Sequence, residues 1–117
     1  MKKQLLFLTA AVLMLAGCAA QKDVLVGSWV QPVPGMADQV QGIQLEEGGK
    51  AASINMATLV YTGWRRDGAD AVVLTGQSVG NGQTIDFSEK MTVKTLTPQE
   101  LTLVDPDGVE FVYTRQN

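Results

Sequence analysis

The chain of 117 residues has no histidine and one cysteine, Cys18. Imidazole general-base catalysis, Cys/His zinc sites and an intrachain disulfide are therefore excluded. There is also no apolar run long enough to span about 30 Å of hydrocarbon as a helix. After the N-terminal segment, no stretch places apolar residues at i, i+3, i+4 and i+7 over three turns, so an amphipathic-helix architecture is excluded as well. No internal repeat or low-complexity tract is present, and no run of like charge exceeds two residues (for example Glu46-Glu47 and Arg65-Arg66). Such short pairs read as solvated strand ends and turns.

What is present begins with an address. Met1-Lys2-Lys3 is a basic n-region, and Leu5 to Leu15 is an apolar stretch interrupted only by Thr9. Together they read as an export signal of residues 1–17. The following Leu15-Ala16-Gly17-Cys18 resembles the lipobox of bacterial lipoproteins. That resemblance implies cleavage before Cys18, a covalent S-diacylglycerol on its sulfur, an N-acyl chain on its amine, and residues 18–23 as a lipidated tether. The competing reading is an ordinary secretory signal that leaves a free thiol. Ala19 is not the aspartate that holds enteric lipoproteins in the inner membrane, so the resemblance implies an outer-membrane lipoprotein facing the periplasm. Acylation would also consume the one thiol. Loss of Lys2 and Lys3 leaves seven basic residues against twelve acidic ones, a net charge of −5, which makes nucleic acid a poor partner.

Residues 24–117 form one small domain of short alternating runs. The alternation predicts strands at 24–31, 40–46, 50–54, 58–66, 71–77, 83–88, 91–96, 100–105 and 109–115, that is, eight or nine. Glu47-Gly48-Gly49, Arg66-Asp67-Gly68, Gly80-Asn81-Gly82, Thr97-Pro98 and Asp105-Pro106-Asp107-Gly108 supply the turns between them. One face is apolar: Leu25 and Trp29, Ile43 and Leu45, Leu59 and Tyr61, Val72 and Leu74, Ile85 and Phe87, Leu101 and Leu103, then Val109, Phe111 and Tyr113. The other carries Ser28, Gln44, Thr62, Thr75, Asp86, Thr102, Glu110 and Thr114. About eight antiparallel strands with one apolar face either close into a barrel or stack as a sandwich, and short sequential hairpins favour an all-β, up-and-down barrel.

Val26-Gly27-Ser28-Trp29, in the first predicted strand, resembles the Gly-x-Trp signature that opens the lipocalin barrel. The resemblance implies that Trp29 plugs the closed end, that Gly27 belongs to the same motif, and that Arg115 in the last strand packs across the indole. Ala52–Tyr61 and Leu74–Asn81 are similar to a group of short lipocalin-like bacterial lipoproteins. At this size an eight-stranded barrel is filled by its own side chains or holds one small ligand.

Other motifs have competing readings. Gly76-Gln77-Ser78-Val79-Gly80 fits the nucleophile-elbow pattern, but no base accompanies it, so a strand end and turn is the stronger reading. Asp67/Asp70 and Asp105/Asp107 read as turn residues before they read as a calcium site. Ser53, Asn55 and Thr58 are either local backbone caps or polar groups at a barrel mouth. Met36, Met56 and Met91 are core filling or a soft pocket lining. Val33–Met36 is either a lid or partner contact, or a segment packed under the barrel. Trp64 faces outward if alternation holds, and a β-bulge would turn it inward.

The expectation is a non-enzymatic, membrane-anchored, lipocalin-like protein that binds a small hydrophobic ligand, with Asn55, Tyr61, Phe87 and Tyr113 as ligand-binding residues. No cofactor and no metal are expected. The alternative is an envelope interaction lipoprotein with a solid barrel core that holds a protein partner.

Overall fold

A computed structural model describes residues 23–116 of the chain; the expected signal segment, Cys18 and most of the tether lie outside the described residues. The alternating runs become eight antiparallel strands: β1 (Gly27–Val33), β2 (Met36–Leu45), β3 (Ala51–Ile54), β4 (Leu59–Arg66), β5 (Ala71–Gly80), β6 (Gln83–Leu96), β7 (Glu100–Val104) and β8 (Glu110–Gln116). A short 3₁₀ turn, Glu47–Gly49, joins β2 to β3. The strands lie in the order β3-β2-β1-β8-β7-β6-β5-β4, so pairing of β1 with β8 brings the two ends of the domain together. A nearly closed up-and-down barrel results. Its seam, between β3 and β4, is bridged by the Ser53 hydroxyl, which donates to the Leu59 carbonyl (2.5 Å) and accepts from the Tyr61 N–H (2.8 Å).

Several boundaries differ from the alternation pattern; β2 begins at Met36 rather than Val40, and β5 runs on to Gly80. Residues 83–88 and 91–96, expected as two strands, are one strand, because Glu89 and Lys90 continue the ladder against Leu74 and Val73. The first strand starts at Gly27 rather than Val24. The Asp23 carboxylate accepts the Leu25 N–H (2.9 Å) and its carbonyl accepts the Val26 N–H (3.0 Å), which holds this segment in a turn. Val33–Met36 is the apex of the β1–β2 hairpin, with Met36 exposed, and does not pack beneath the barrel.

Two bulges set which side chains face in. Thr62 is the extra residue between Tyr61 and Gly63, and Lys94 the extra residue between Val93 and Thr95. Each reverses the phase of its strand. Trp64 is consequently half-buried against the core, with its indole N–H on the Glu46 carbonyl (2.8 Å), and Leu96 also packs inward. Ile85 and Val109, expected inside, are 60% and 50% exposed. Both lie at the hairpin end of the barrel, Ile85 near the β5–β6 tip and Val109 in the connection between β7 and β8.

The core lies toward the ends of the strands where Trp29, Leu25, Val72, Leu74, Leu101 and Leu103 are essentially inaccessible. Replacing Trp29 with alanine is expected to cost about 3–5 kcal/mol. Urea denaturation checks this, and a loss below about 1 kcal/mol would show that the indole does not hold the core together.

Candidate functional site

The strand directions give the barrel two unlike ends. The segment before β1, the Glu47–Gly49 turn, the β4–β5 and β6–β7 turns and the end of β8 gather at one end of the described domain. The β1–β2, β3–β4, β5–β6 and β7–β8 connections gather at the other.

The first end is sealed. Trp29 donates its indole N–H to the Leu25 carbonyl (2.8 Å), and the Arg115 guanidinium lies 4.3 Å from the centre of the indole ring. Such a cation–π contact contributes about 0.5–2 kcal/mol. The same guanidinium donates to the carbonyls of Val24 (2.5 Å), Val26 (2.8 Å) and Pro98 (2.5 Å), tying the start of the domain and the β6–β7 turn across the plug. Gly27 has φ +146°, and any Cβ there would collide with Arg115 Nη1. Its lack of a side chain is what admits the arginine. Beside the plug, Arg66 pairs with Asp23 (Nε–Oδ2 2.6 Å), an interaction that holds the Asp23 carboxyl below its ordinary range.

The second end is open. A cup of about 220 Å³ enters the barrel there, lined by Tyr61, Tyr113, Phe111, Met56, Met91 and Leu59 with the polar Gln31, Gln41, Glu89 and Asp105 among them. Tyr61 and Phe87 meet edge to face, centroids 5.8 Å apart at 81°. Gly76 lies in the ladder between them, where a Cβ would strike the Val60 carbonyl and crowd the Phe87 ring. The larger depression, about 450 Å³, is a shallow groove at the sealed end near Asp23, Trp64 and Arg66. Arg66 and Asp23 in its wall are paired with each other, and Arg65 and Glu47 also line it. The cup, which reaches the tyrosine, phenylalanine and methionine side chains of the barrel interior, is the candidate site.

Of the residues singled out in the sequence, Tyr61 and Tyr113 line the cup and Phe87 stacks against it. Asn55 does not line it. This residue has φ 56° and its side-chain amide donates to the Val40 carbonyl (3.0 Å), so it fixes the bend after β3 instead of meeting a ligand. Ser53 is spent on the seam. Gly76–Gly80 is continuous strand with Ser78 exposed, not an elbow. Asp105 Oδ1 accepts the N–H groups of Asp107 and Val109, both at 2.9 Å, and so builds its turn. Sequence reasoning missed Glu89, Gln31 and Gln41. The available signal for Glu89 was its place between Phe87 and Met91 on the period-two inward row of β6, which becomes visible only once 83–96 is read as one strand.

Burial, followed by the charge of Glu89, pushes the Tyr61 hydroxyl up to about 12. Tyr113 is raised further, by burial first and then by Tyr61 and Glu89. These are the two tyrosines of the chain. Phenolate absorbance of the folded protein should therefore stay low through pH 10 and rise only toward pH 12. Because both folded values exceed the unfolded one, their stabilising contribution is complete below pH 10 and is lost as pH climbs toward 12. A normal tyrosine titration in the folded protein would contradict the buried placement.

A family model described as lipocalin-like matches residues 21–116. The solved structure of a lipocalin-like protein from Bacteroides thetaiotaomicron is similar, with 55% sequence identity and a TM-score of 0.72, covering 79% of this chain and 96% of that one. No curated protein matches the chain.

Proposed function

This chain belongs to the lipocalin-like family, and from that premise we propose that it is a non-enzymatic, lipid-anchored envelope protein that takes a small hydrophobic ligand into the open half of its barrel. The observation that carries the reading is the polarity of the barrel itself: the Trp29–Arg115 plug closes one end and a cup lined by Tyr61, Phe111, Tyr113 and Met91 opens at the other. A volume of 220 Å³ lies below the ~300–1,000 Å³ of drug-sized sites, so the occupant is a small molecule or the end of a longer one. Affinity comes from desolvated apolar area, and the polar groups on the wall orient what enters. Cys18, in its lipobox-like context, is the attachment point, and buried acyl methylenes at about 0.8 kcal/mol each anchor the domain to the outer membrane on its periplasmic side.

A second reading, a protein partner at the open rim, is favoured by one observation. Met36, Val79, Ile85 and Val109, all near hairpin tips at that end, are exposed. Native mass spectrometry of a soluble form beginning at Gln21, after incubation with a lipid extract of the source envelope, separates the two. A stoichiometric added mass is expected; bare protein across the whole extract would favour the partner. Replacing Cys18 with serine should release the protein from the membrane fraction without changing its circular dichroism, and a variant that stayed membrane-bound would refute the anchor.

A further inference from the structure

Of the two carboxylates in the cup, Asp105 is engaged in building its own turn and Glu89 is not. On β6 the inward row runs Phe87, Glu89, Met91, Val93, and Glu89 lies opposite the buried Leu74 in the ladder. The neighbouring lysines turn outward and are engaged, Lys90 with Asp67 (3.1 Å) and Lys94 with Glu110 (2.6 Å). Among the described residues Glu89 has no salt-bridge partner, and no lysine or arginine lines the cup. Tyr113 as a residue is 5% exposed, and its hydroxyl, which makes no hydrogen bond to any described residue, retains access to solvent through the cup. Tyr61 of β4, Glu89 of β6 and Tyr113 of β8 line the same cup, so their oxygen-bearing side chains come together there from three strands.

From this arrangement, and resting on the cup being the small-ligand site, we infer that the ligand class is a primary ammonium group carried on a small apolar body, with Glu89 as its counter-charge and the Tyr61 and Tyr113 hydroxyl oxygens as further acceptors. An ammonium has three donors and no acceptor, which suits a carboxylate flanked by two hydroxyl oxygens. Glu89 is exposed to solvent in the open cup, so water solvates its carboxylate before a ligand enters. A neutral or anionic occupant strips that water and leaves a carboxylate without compensation, a costly state, whereas an ammonium replaces the lost hydrogen bonds with charge-assisted ones. The aromatic rings of Tyr61, Phe111 and Tyr113, which line the cup, add a negative quadrupole that attracts the same cation. A carboxylate-headed ligand would instead meet Glu89 and Asp105 with no basic residue to receive it. The net charge of −5 after signal removal attracts cations toward the domain as a whole.

The test uses the processed, lipid-anchored chain in zwitterionic phospholipid nanodiscs, labelled at its methionine methyls. Met56 and Met91 line the cup, while Met36 at the β1–β2 apex lies outside it and serves as the control. Three probes of equal chain length are titrated: hexylammonium, hexanoate and 1-hexanol. Hexylammonium is expected to shift the Met56 and Met91 resonances saturably, leaving Met36 unmoved, with an apparent Kd about tenfold lower than either other probe. Glu89→Gln should weaken hexylammonium about tenfold and leave 1-hexanol within about twofold. Hexanoate or hexanol binding as tightly as hexylammonium overturns the ammonium inference and leaves the cup as a ligand site; so does a folded Glu89→Gln protein with unchanged affinity. Failure of all three probes to move Met56 and Met91 overturns both. If Glu89→Gln does not fold, the comparison of the three probes on the native chain decides.

Discussion

The barrel depends on one cation lying over one indole. Arg115 reaches from β8 across Trp29 of β1 and holds three backbone carbonyls, two before β1 and one in the β6–β7 turn. A single guanidinium on β8 thus fastens the segment before β1 and a distant turn to one hydrophobic plug. Its planar fork of donors is suited to that, since a lysine ammonium is a point charge with no comparable fixed geometry. Gly27 is the complementary condition, because a side chain there would occupy the space of the guanidinium. Glycine, tryptophan and arginine in this motif are thus three parts of one contact.

Sealing that end gives the molecule its direction. With the plug and the large core residues toward one end, the interior narrows there, and the remaining space opens only among the hairpin tips. The bulges at Thr62 and Lys94 assist by turning Trp64 and Leu96 inward near the sealed end, where bulk is needed. Toward the open end the inward row changes character, to Tyr61, Tyr113, Glu89, Gln31 and Gln41. A solid base and a polar-tipped cup follow from the same strands at different heights.

The seam shows how economically the sheet closes. β3 is four residues long, and no full ladder joins it to β4. One isolated bridge between Lys50 and Gly63 and the Ser53 hydroxyl, acting as both donor and acceptor toward β4, do the joining. This accounts for the polar cluster at Ser53 and Asn55 that read ambiguously in the sequence. Both side chains satisfy backbone groups where strand pairing stops, as exposed or half-buried backbone requires.

Period-two alternation and turn chemistry are local properties, so the linear sequence was enough to determine an all-β chain of about eight strands. The Gly27–Trp29 motif and a terminal arginine were enough to indicate the lipocalin-like family and the two partners of the plug. Tertiary structure alone decided what depends on register. A single extra residue reverses every later side chain of a strand, so Trp64 is turned inward by Thr62, an effect that no count along β4 alone reveals. Fusion of two expected strands into β6 put Glu89 on the inward row, and closure of the sheet brought it to tyrosines from β4 and β8. Those three residues are distant in sequence and share no local motif. Their meeting is a consequence of strand order and shear, which are set by the whole sheet at once.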